Sequence, residues 1–400
     1  MTTQEMASVR YNPLSPTVQD DPYPYYAELR DKAPVAWIES MQAWAVSRYA
    51  DVDFILRTPS LFSSASWNAA ASGNLVAVPE APGLLSLDPP DHTRMRKLAN
   101  KGFTPRLIRA MEPRVRTITQ DLLKSLTTQT EIDLVPALSI PLPIIVIAEM
   151  LGIEVERQAD FKRWSDAVVQ SLNRPTDKVV RAEIRQNIGE LRAYLGDMIN
   201  RRRTEPGDDL ITAFVQAEEE RQVLTSIEIL GLTVLLLAAG NETTTNLIGN
   251  AALALLDHPE ELVKVRAEPA SVPALIEEVL RYDSPVQVVF RQTTQEVELD
   301  GGTLPAGATV LVLVGAANRD ERKFPDPDRF AVERNPQDHV GFGYGIHYCL
   351  GAPLARLESR IALEALLFDC PPFTRVLART PRIVAYLVRG PRTLPLRFAA

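Results

Sequence analysis

The 400-residue sequence predicts a mainly α-helical protein with small β-sheets, a single compact domain built around a long central helix. Three observations predict it. From Asp91 onward, apolar residues recur at three- and four-residue steps, as in helices that bury one face. The segment Thr225 to Asp257 is the longest helical candidate and is apolar nearly all round in its first half, as suits a helix through the middle of a protein. Strand candidates are short, and no internal repeat or linker divides the chain. Length alone would suit two or three domains, yet large helical enzymes hold a chain of this size in one unit.

The elements follow in order. A helix near Tyr23 to Lys32 precedes two strand candidates, Val35 to Ile38 and Ala43 to Val46, and a second helix near Asp51 to Arg57. Between Ser60 and Pro90 the chain is rich in Ser, Ala, Gly, Asn and Pro without periodicity and reads as a long loop, often a functional feature. Ile108, Met111, Val115, Ile118, Leu122 and Leu126 then mark one helical face, and further helices are expected near 143–151, 157–172, 178–203 and 208–219. After the central helix, a helix ending near Tyr282 leads to strands Val286 to Phe290, Val297 to Leu299 and Thr309 to Val314, with a Gly301-Gly302 turn between the last two. A Pro-rich stretch, Phe324 to Pro336, runs into a glycine-rich loop and a last helix from about Pro353 to Phe368.

Composition bounds the function. A net charge of -8 argues against nonspecific binding to nucleic acid or to an anionic membrane. The cysteines, Cys349 and Cys370, do not form a disulfide framework, and a reducing compartment is the plain reading. Met1 to Tyr11 carries neither an apolar core nor an Arg-rich amphipathic pattern, so a cytoplasmic location is expected. The apolar runs Val135 to Met150, broken by prolines, and Ile227 to Ala239, shorter than the roughly 20 residues that span a bilayer, read as buried helices.

The most specific feature is the loop Phe342-Gly343-Tyr344-Gly345-Ile346-His347-Tyr348-Cys349-Leu350-Gly351, which presents a cysteine just before a helix. Glycines let the backbone turn tightly against a flat cofactor, Phe342 can shield the sulfur, and the N-terminus of the next helix supplies N–H groups and positive dipole to hold a thiolate. A lone cysteine would be an inert buried thiol; the surrounding glycines and His347 argue otherwise. Zinc held by Cys349 with His339 and His347 would want further ligands at paired spacing. In the central helix, Glu242 and Thr243 follow a run of leucines, and the Thr243 hydroxyl can bond the Ala239 carbonyl four residues back and open the helix locally. Glu278 and Arg281 stand at i, i+3 on one helix face.

The loop matches every fixed position of F-G-x-G-x-H-x-C-x-G, and on it the chain resembles the cytochrome P-450 family, from the first helix and hairpin to the closing Arg389–Phe398 segment. The resemblance implies the family's helical fold around haem b (iron protoporphyrin IX), with Cys349 as iron ligand and Phe342, Gly351 and Ala239 beside the cofactor. It makes His92, Arg96, Arg291 and His347 the propionate ligands and Glu242 with Thr243 the acid–alcohol pair that delivers protons. It gives Glu278, Arg281 and Arg329 a folding role. It implies a monooxygenase that takes dioxygen, receives electrons from a ferredoxin and ferredoxin reductase, and hydroxylates or epoxidises an apolar terpenoid, steroid, polyketide or fatty acid. The pocket would be lined by parts of 60–90 and 168–180, Leu235, Ala239, Val286, Val288, Val289 and Leu387. A peroxygenase or an oxygen-independent isomerase is disfavoured because Glu242 and Thr243 are present, and a noncatalytic haem sensor would need no proton delivery. Arg94, Lys97, Lys101, Arg106, Arg356 and Arg360 are expected to form one ferredoxin-docking patch on the cysteine side.

Overall fold

A computed structural model describes residues 10–65, 83–124, 129–172, 177–219 and 222–399. The central helix, Ser226–Asp257, organises the rest. Its start is fixed by a capping box in which the Thr225 hydroxyl accepts from the Glu228 N–H while the Glu228 carboxylate accepts from the Thr225 N–H. It stops at His258 because Pro259 follows, and Pro259 opens the next helix, Pro259–Ala267, where its missing N–H is not needed. Helices Pro141–Met150, Lys178–Thr204, Val272–Tyr282 and Ala352–Glu364 pack around it. Their apolar faces merge into the main core, with Leu237, Leu247, Leu253, Val279 and Ile361 near its centre. This central helix is the one element among the described residues long and apolar enough to cross a membrane, and half of that stretch is buried inside the molecule.

The expected strands Val35–Ile38 and Ala43–Val46 form an antiparallel hairpin, and Thr309–Leu313 pairs parallel to its second arm. Val288–Thr293 and Phe62–Ser63 complete this five-stranded sheet. The turn at Gly301-Gly302 follows Val297–Leu299 as expected but leads into a short strand, Gly302–Leu304, and the two form a hairpin of their own apart from Thr309–Leu313. A second sheet of Phe373–Arg375, Pro395–Phe398 and Glu131–Asp133 was not expected, since each strand is too short to show periodicity.

The helical face expected from Ile108 onward belongs to two helices, Pro105–Ala110 and Glu112–Lys124, the second with Pro113 in its first turn; Leu126 lies outside the described residues. The helix expected at 208–219 is Leu210–Gln216, with Asp209 accepting from the Thr212 N–H at 2.7 Å, and a hairpin follows it. Most of the Ser60–Pro90 loop and residues 173–176 also lie outside the described residues, while 168–172 are still helix.

Candidate active site

Two features mark the candidate site. Apart from its ends, Ser226 and Asp257, the central helix has two exposed residues, Ala239 and Gly240, in its middle. A Cβ built on Gly240 would meet nothing within 4 Å. A helix buried in both halves and bare at its midpoint borders open space there. Thr243 lies one turn on, and its hydroxyl donates to the Ala239 carbonyl at 2.7 Å, the bond expected from the spacing. The helix is not opened by it: regular helix runs unbroken from Ser226 to Asp257. Burial pushes the Glu242 carboxyl above its ordinary range.

The second feature is the cysteine loop. Gly345 adopts φ +68°, and a Cβ there would sit 2.5 Å from the Leu56 carbonyl, so a glycine is what lets the loop press onto the helix Tyr49–Arg57. The Cys349 N–H donates to the Phe342 carbonyl at 2.9 Å, closing the loop. Its thiol, half-buried, sits at the start of Ala352–Glu364. Burial raises that thiol's pKa, opposed by the N–H groups of Gly351 and Ala352 and by the charges of Arg96 and Arg356. A Cβ on Gly351 would meet nothing within 4 Å.

At one edge of the loop, cations crowd together. His92 and Arg96, one turn apart on the helix Asp91–Asn100, meet Arg291 from the strand Val288–Thr293 and His347 from the loop. The His92 and His347 rings lie 4.3 Å apart between centroids. Both His92 ring nitrogens are buried without a partner. His347 is engaged, by Ser64 Oγ at 2.9 Å from its Nε2 and by the Leu87 backbone. Arg96 Nη2 reaches over to the Tyr348 carbonyl at 2.7 Å, and Arg291 donates to the Phe290 carbonyl at 2.7 Å. Burial, reinforced by the neighbouring cations, depresses His92 to about 4 and His347 to about 3, and burial depresses Arg291 to about 10 against the pull of Asp88. Orphaned imidazole nitrogens, and histidines pressed toward neutrality by burial and the adjoining arginines, suit a cradle for a dianionic group, whose negative charge would supply the missing partners. Together with the bare glycines on both sides and the N–H-supported thiol, this donor set fits haem.

The folding cluster is also assembled, with one correction. Glu278 and Arg281 are fully buried, both side chains 0% exposed, and pair in bidentate fashion at 2.8 Å twice over. The third arginine is Arg334, not Arg329. Arg334 Nε approaches Glu278 at 3.4 Å and its Nη groups hold the carbonyls of Pro325 and Asp326, whereas the Arg329 side chain is 57% exposed and pairs with Glu333. Arg329 contributes its carbonyl, which accepts from Arg281 at 3.2 Å.

The expected pocket wall changes in one place. Successive strand residues face opposite sides, so Val288 and Val289 cannot share a wall. Val288 is core, packed among Phe290, Leu311 and Leu313, while the half-open Val289 shares a strand face with Arg291. Leu235, Val286 and Leu387 are half-open, and Val286 bridges to Val388 beside Leu387.

The docking patch also breaks up. Arg94 is drawn to Glu228, Arg356 to Glu277, and Arg360 to Glu112 and Glu364, so these charges are compensated within the molecule. Lys97, Lys101 and Arg106 remain exposed, and Arg109, not expected in the patch, is exposed beside them. Sequence reasoning also passed over Ser64 and the cluster of Glu277, His339 and Arg356, whose members meet only through the fold.

Comparison with known proteins agrees with this geometry. A family profile described as cytochrome P450 matches residues 17–372. The chain is 42% identical to the cytochrome P450 CYP109Q5 from Chondromyces apiculatus, over 98% of each chain with a TM-score of 0.91. It is 40% identical to CYP109E1 from Bacillus megaterium, solved in complex with testosterone, over 95% of this chain and all of that one, with a TM-score of 0.87. It is 38% identical to the 6-deoxyerythronolide B hydroxylase of Saccharopolyspora erythraea over 94% of this chain and 96% of the relative.

Proposed function

The chain belongs to the cytochrome P450 family and is a P450-type oxidoreductase, and from that premise we propose that it hydroxylates or epoxidises an apolar small molecule with one atom of dioxygen. Two electrons come from a separate ferredoxin and ferredoxin reductase in the cytoplasm. The observation that carries the reading is the Cys349 loop with partnerless His92 packed against its His347, together with the bare midpoint of the central helix at Ala239-Gly240.

Cys349 would hold the iron of haem b; His92, Arg96, Arg291 and His347 would hold its propionates; Phe342, Gly351 and Ala239 would line its faces. Thiolate-ligated haem supplies dioxygen binding and cleavage of the O–O bond. The protein's part is to position and to move protons. Glu242, its carboxyl raised by burial, keeps a proton nearer neutrality than an exposed glutamate does. Thr243 spends its donor on Ala239, leaving oxygen lone pairs to accept from Glu242 or from water, and passes a proton into the open space when that bond swings. Leu235, Ala239, Val286, Val289 and Leu387 offer an aliphatic wall that would exclude water and admit a large apolar substrate. The testosterone complex and the 6-deoxyerythronolide B hydroxylase named above support the steroid and polyketide classes as the first to test. Exposed Lys97, Lys101, Arg106 and Arg109 would meet the acidic ferredoxin.

The test is spectroscopic. Reduction under carbon monoxide should give the red-shifted Soret band of thiolate ligation, and Cys349→Ser should abolish it. An unchanged band in that variant would remove Cys349 as the ligand. Substrate-induced spectral shifts across a steroid and polyketide library would then identify the substrate class.

A further inference from the structure

Behind the cysteine loop lies a cluster that neither the proton path nor the cradle uses. The Glu277 carboxylate takes both arms of Arg356, Nε at 2.6 Å and Nη2 at 2.9 Å, and also His339 Nε2 at 2.9 Å. The Gly341 N–H donates to His339 Nδ1 at 3.1 Å, which places the ring proton on Nε2, aimed at Glu277. Arg356 stands two helical turns after Cys349. Its guanidinium lies over the Phe342 ring, 4.6 Å from the centroid, and its Nη1 donates to the Tyr348 hydroxyl at 3.2 Å. Phe342 is the residue whose carbonyl closes the loop on the Cys349 N–H, and Tyr348 is the immediate neighbour of Cys349. Three segments remote in sequence thus hold one cation against the two residues that frame the sulfur.

A bidentate partner makes Arg356 a poor steering charge for a distant protein, because Glu277 cancels its long-range field. At short range the pair acts as a dipole with its positive end toward the loop. We propose that Arg356, positioned by Glu277 and His339, sets the reduction potential of the haem bound at Cys349 by fixing a positive charge behind the ligating sulfur. The proposal rests on the haem-thiolate reading above. Going from ferric to ferrous adds one electron to the iron–sulfur unit, and a nearby cation stabilises the more negative state. Arg356 therefore raises the potential, and Glu277 moderates the rise.

The experiment is a spectroelectrochemical titration of the substrate-free haem-loaded protein, with the carbon monoxide band recorded on each sample. Arg356→Gln should move the midpoint down. Glu277→Gln, which keeps size and an acceptor oxygen but leaves Arg356 uncompensated, should move it up. Arg356→Lys should stay near wild type. Opposite movements separate tuning from mere loosening, which would push both variants the same way. Two single variants that shift together, or not at all, overturn the proposal. If Arg356→Gln fails to hold haem, Glu277→Gln decides alone: an upward shift supports the proposal and an unmoved midpoint overturns it. A wild-type protein without the thiolate band would overturn the haem-thiolate reading and this inference with it, whereas a normal band with unmoved midpoints sinks this inference only.

Discussion

Replacing Arg281 by methionine tests how the fold beside the cysteine loop is held. The guanidinium fills a fully buried site and makes five hydrogen-bond contacts: two to Glu278 at 2.8 Å and one each to the carbonyls of Asn318, Pro327 and Arg329. Removing one partner of a buried ion pair costs about 3–5 kcal/mol. Each carbonyl left without its donor adds about 1 kcal/mol or more. The loss is of the order of 6–8 kcal/mol, set against a whole-domain stability of about 5–15 kcal/mol. Arg281→Met should therefore accumulate as haem-free or insoluble protein. Arg334, 16% exposed and bonded to two carbonyls as well as to Glu278, should cost about 2–3 kcal/mol as Arg334→Met. Arg329→Met removes only a surface pair with Glu333 and keeps the carbonyl, so it should stay within about 1 kcal/mol of wild type. Urea midpoints and haem content across the three variants measure the order. The reasoning fails if Arg329→Met is as damaging as Arg334→Met, or if Arg281→Met unfolds within about 1 kcal/mol of wild type.

Three further outcomes are expected. Thr243→Ala should keep the carbon monoxide band and substrate binding while product per electron falls and hydrogen peroxide rises; wild-type coupling in that variant would end the proton-delivery role. Glu358, fully buried with Oε2 unpartnered, has its carboxyl raised by burial to about 8. The native state therefore holds that proton between about pH 4.5 and 8 where the unfolded chain does not, so its contribution is complete in acid and is lost as pH rises through 8. Across this window the native protein should lose a few kcal/mol relative to Glu358→Gln, and parallel stability curves for the two proteins would show the carboxyl to be ordinary. Lys97→Glu with Arg106→Glu should slow electron transfer from a ferredoxin and flatten its salt dependence without altering substrate binding; equal rates at all salt concentrations would move the docking surface elsewhere.

What was legible in the sequence was what is local along it. The cysteine loop is ten consecutive residues, the Glu278–Arg281 pair sits at i, i+3, and the Thr243 to Ala239 bond at i, i+4, so spacing alone brought each together. The misses share a different cause. Choosing Arg329 over Arg334 depended on how an irregular stretch turns, and that stretch is bracketed by left-handed residues, Asp326 at φ +48° and Asn335 at φ +41°. The docking patch counted charges without their partners, because Glu228, Glu277 and Glu112 lie far from Arg94, Arg356 and Arg360 in the chain. Val288 and Val289 are both valines in an apolar run, so residue type does not distinguish the core-facing one from its neighbour; only the alternation of the strand does. The second sheet's strands, at three or four residues, fall below the length at which alternation can be seen.

The bare midpoint of the central helix divides labour along that helix. Thirty-two residues at 1.5 Å each extend about 48 Å, and the opening at Ala239-Gly240 takes up roughly one turn of it. Side chains that lean over one turn come from positions three or four apart, so Leu235, Leu236, Ala239, Gly240 and Thr243 are the positions from which this helix would shape the chamber, beside the proton-delivering Glu242. Engineering of selectivity along the spine has those five addresses. Gly240→Ala gains helix propensity of up to about 1 kcal/mol and spends the room in return, so the glycine trades rigidity for chamber volume. Substitutions elsewhere on the same helix, at Leu247 or Leu253 for instance, change how firmly the protein folds and leave what it accepts untouched.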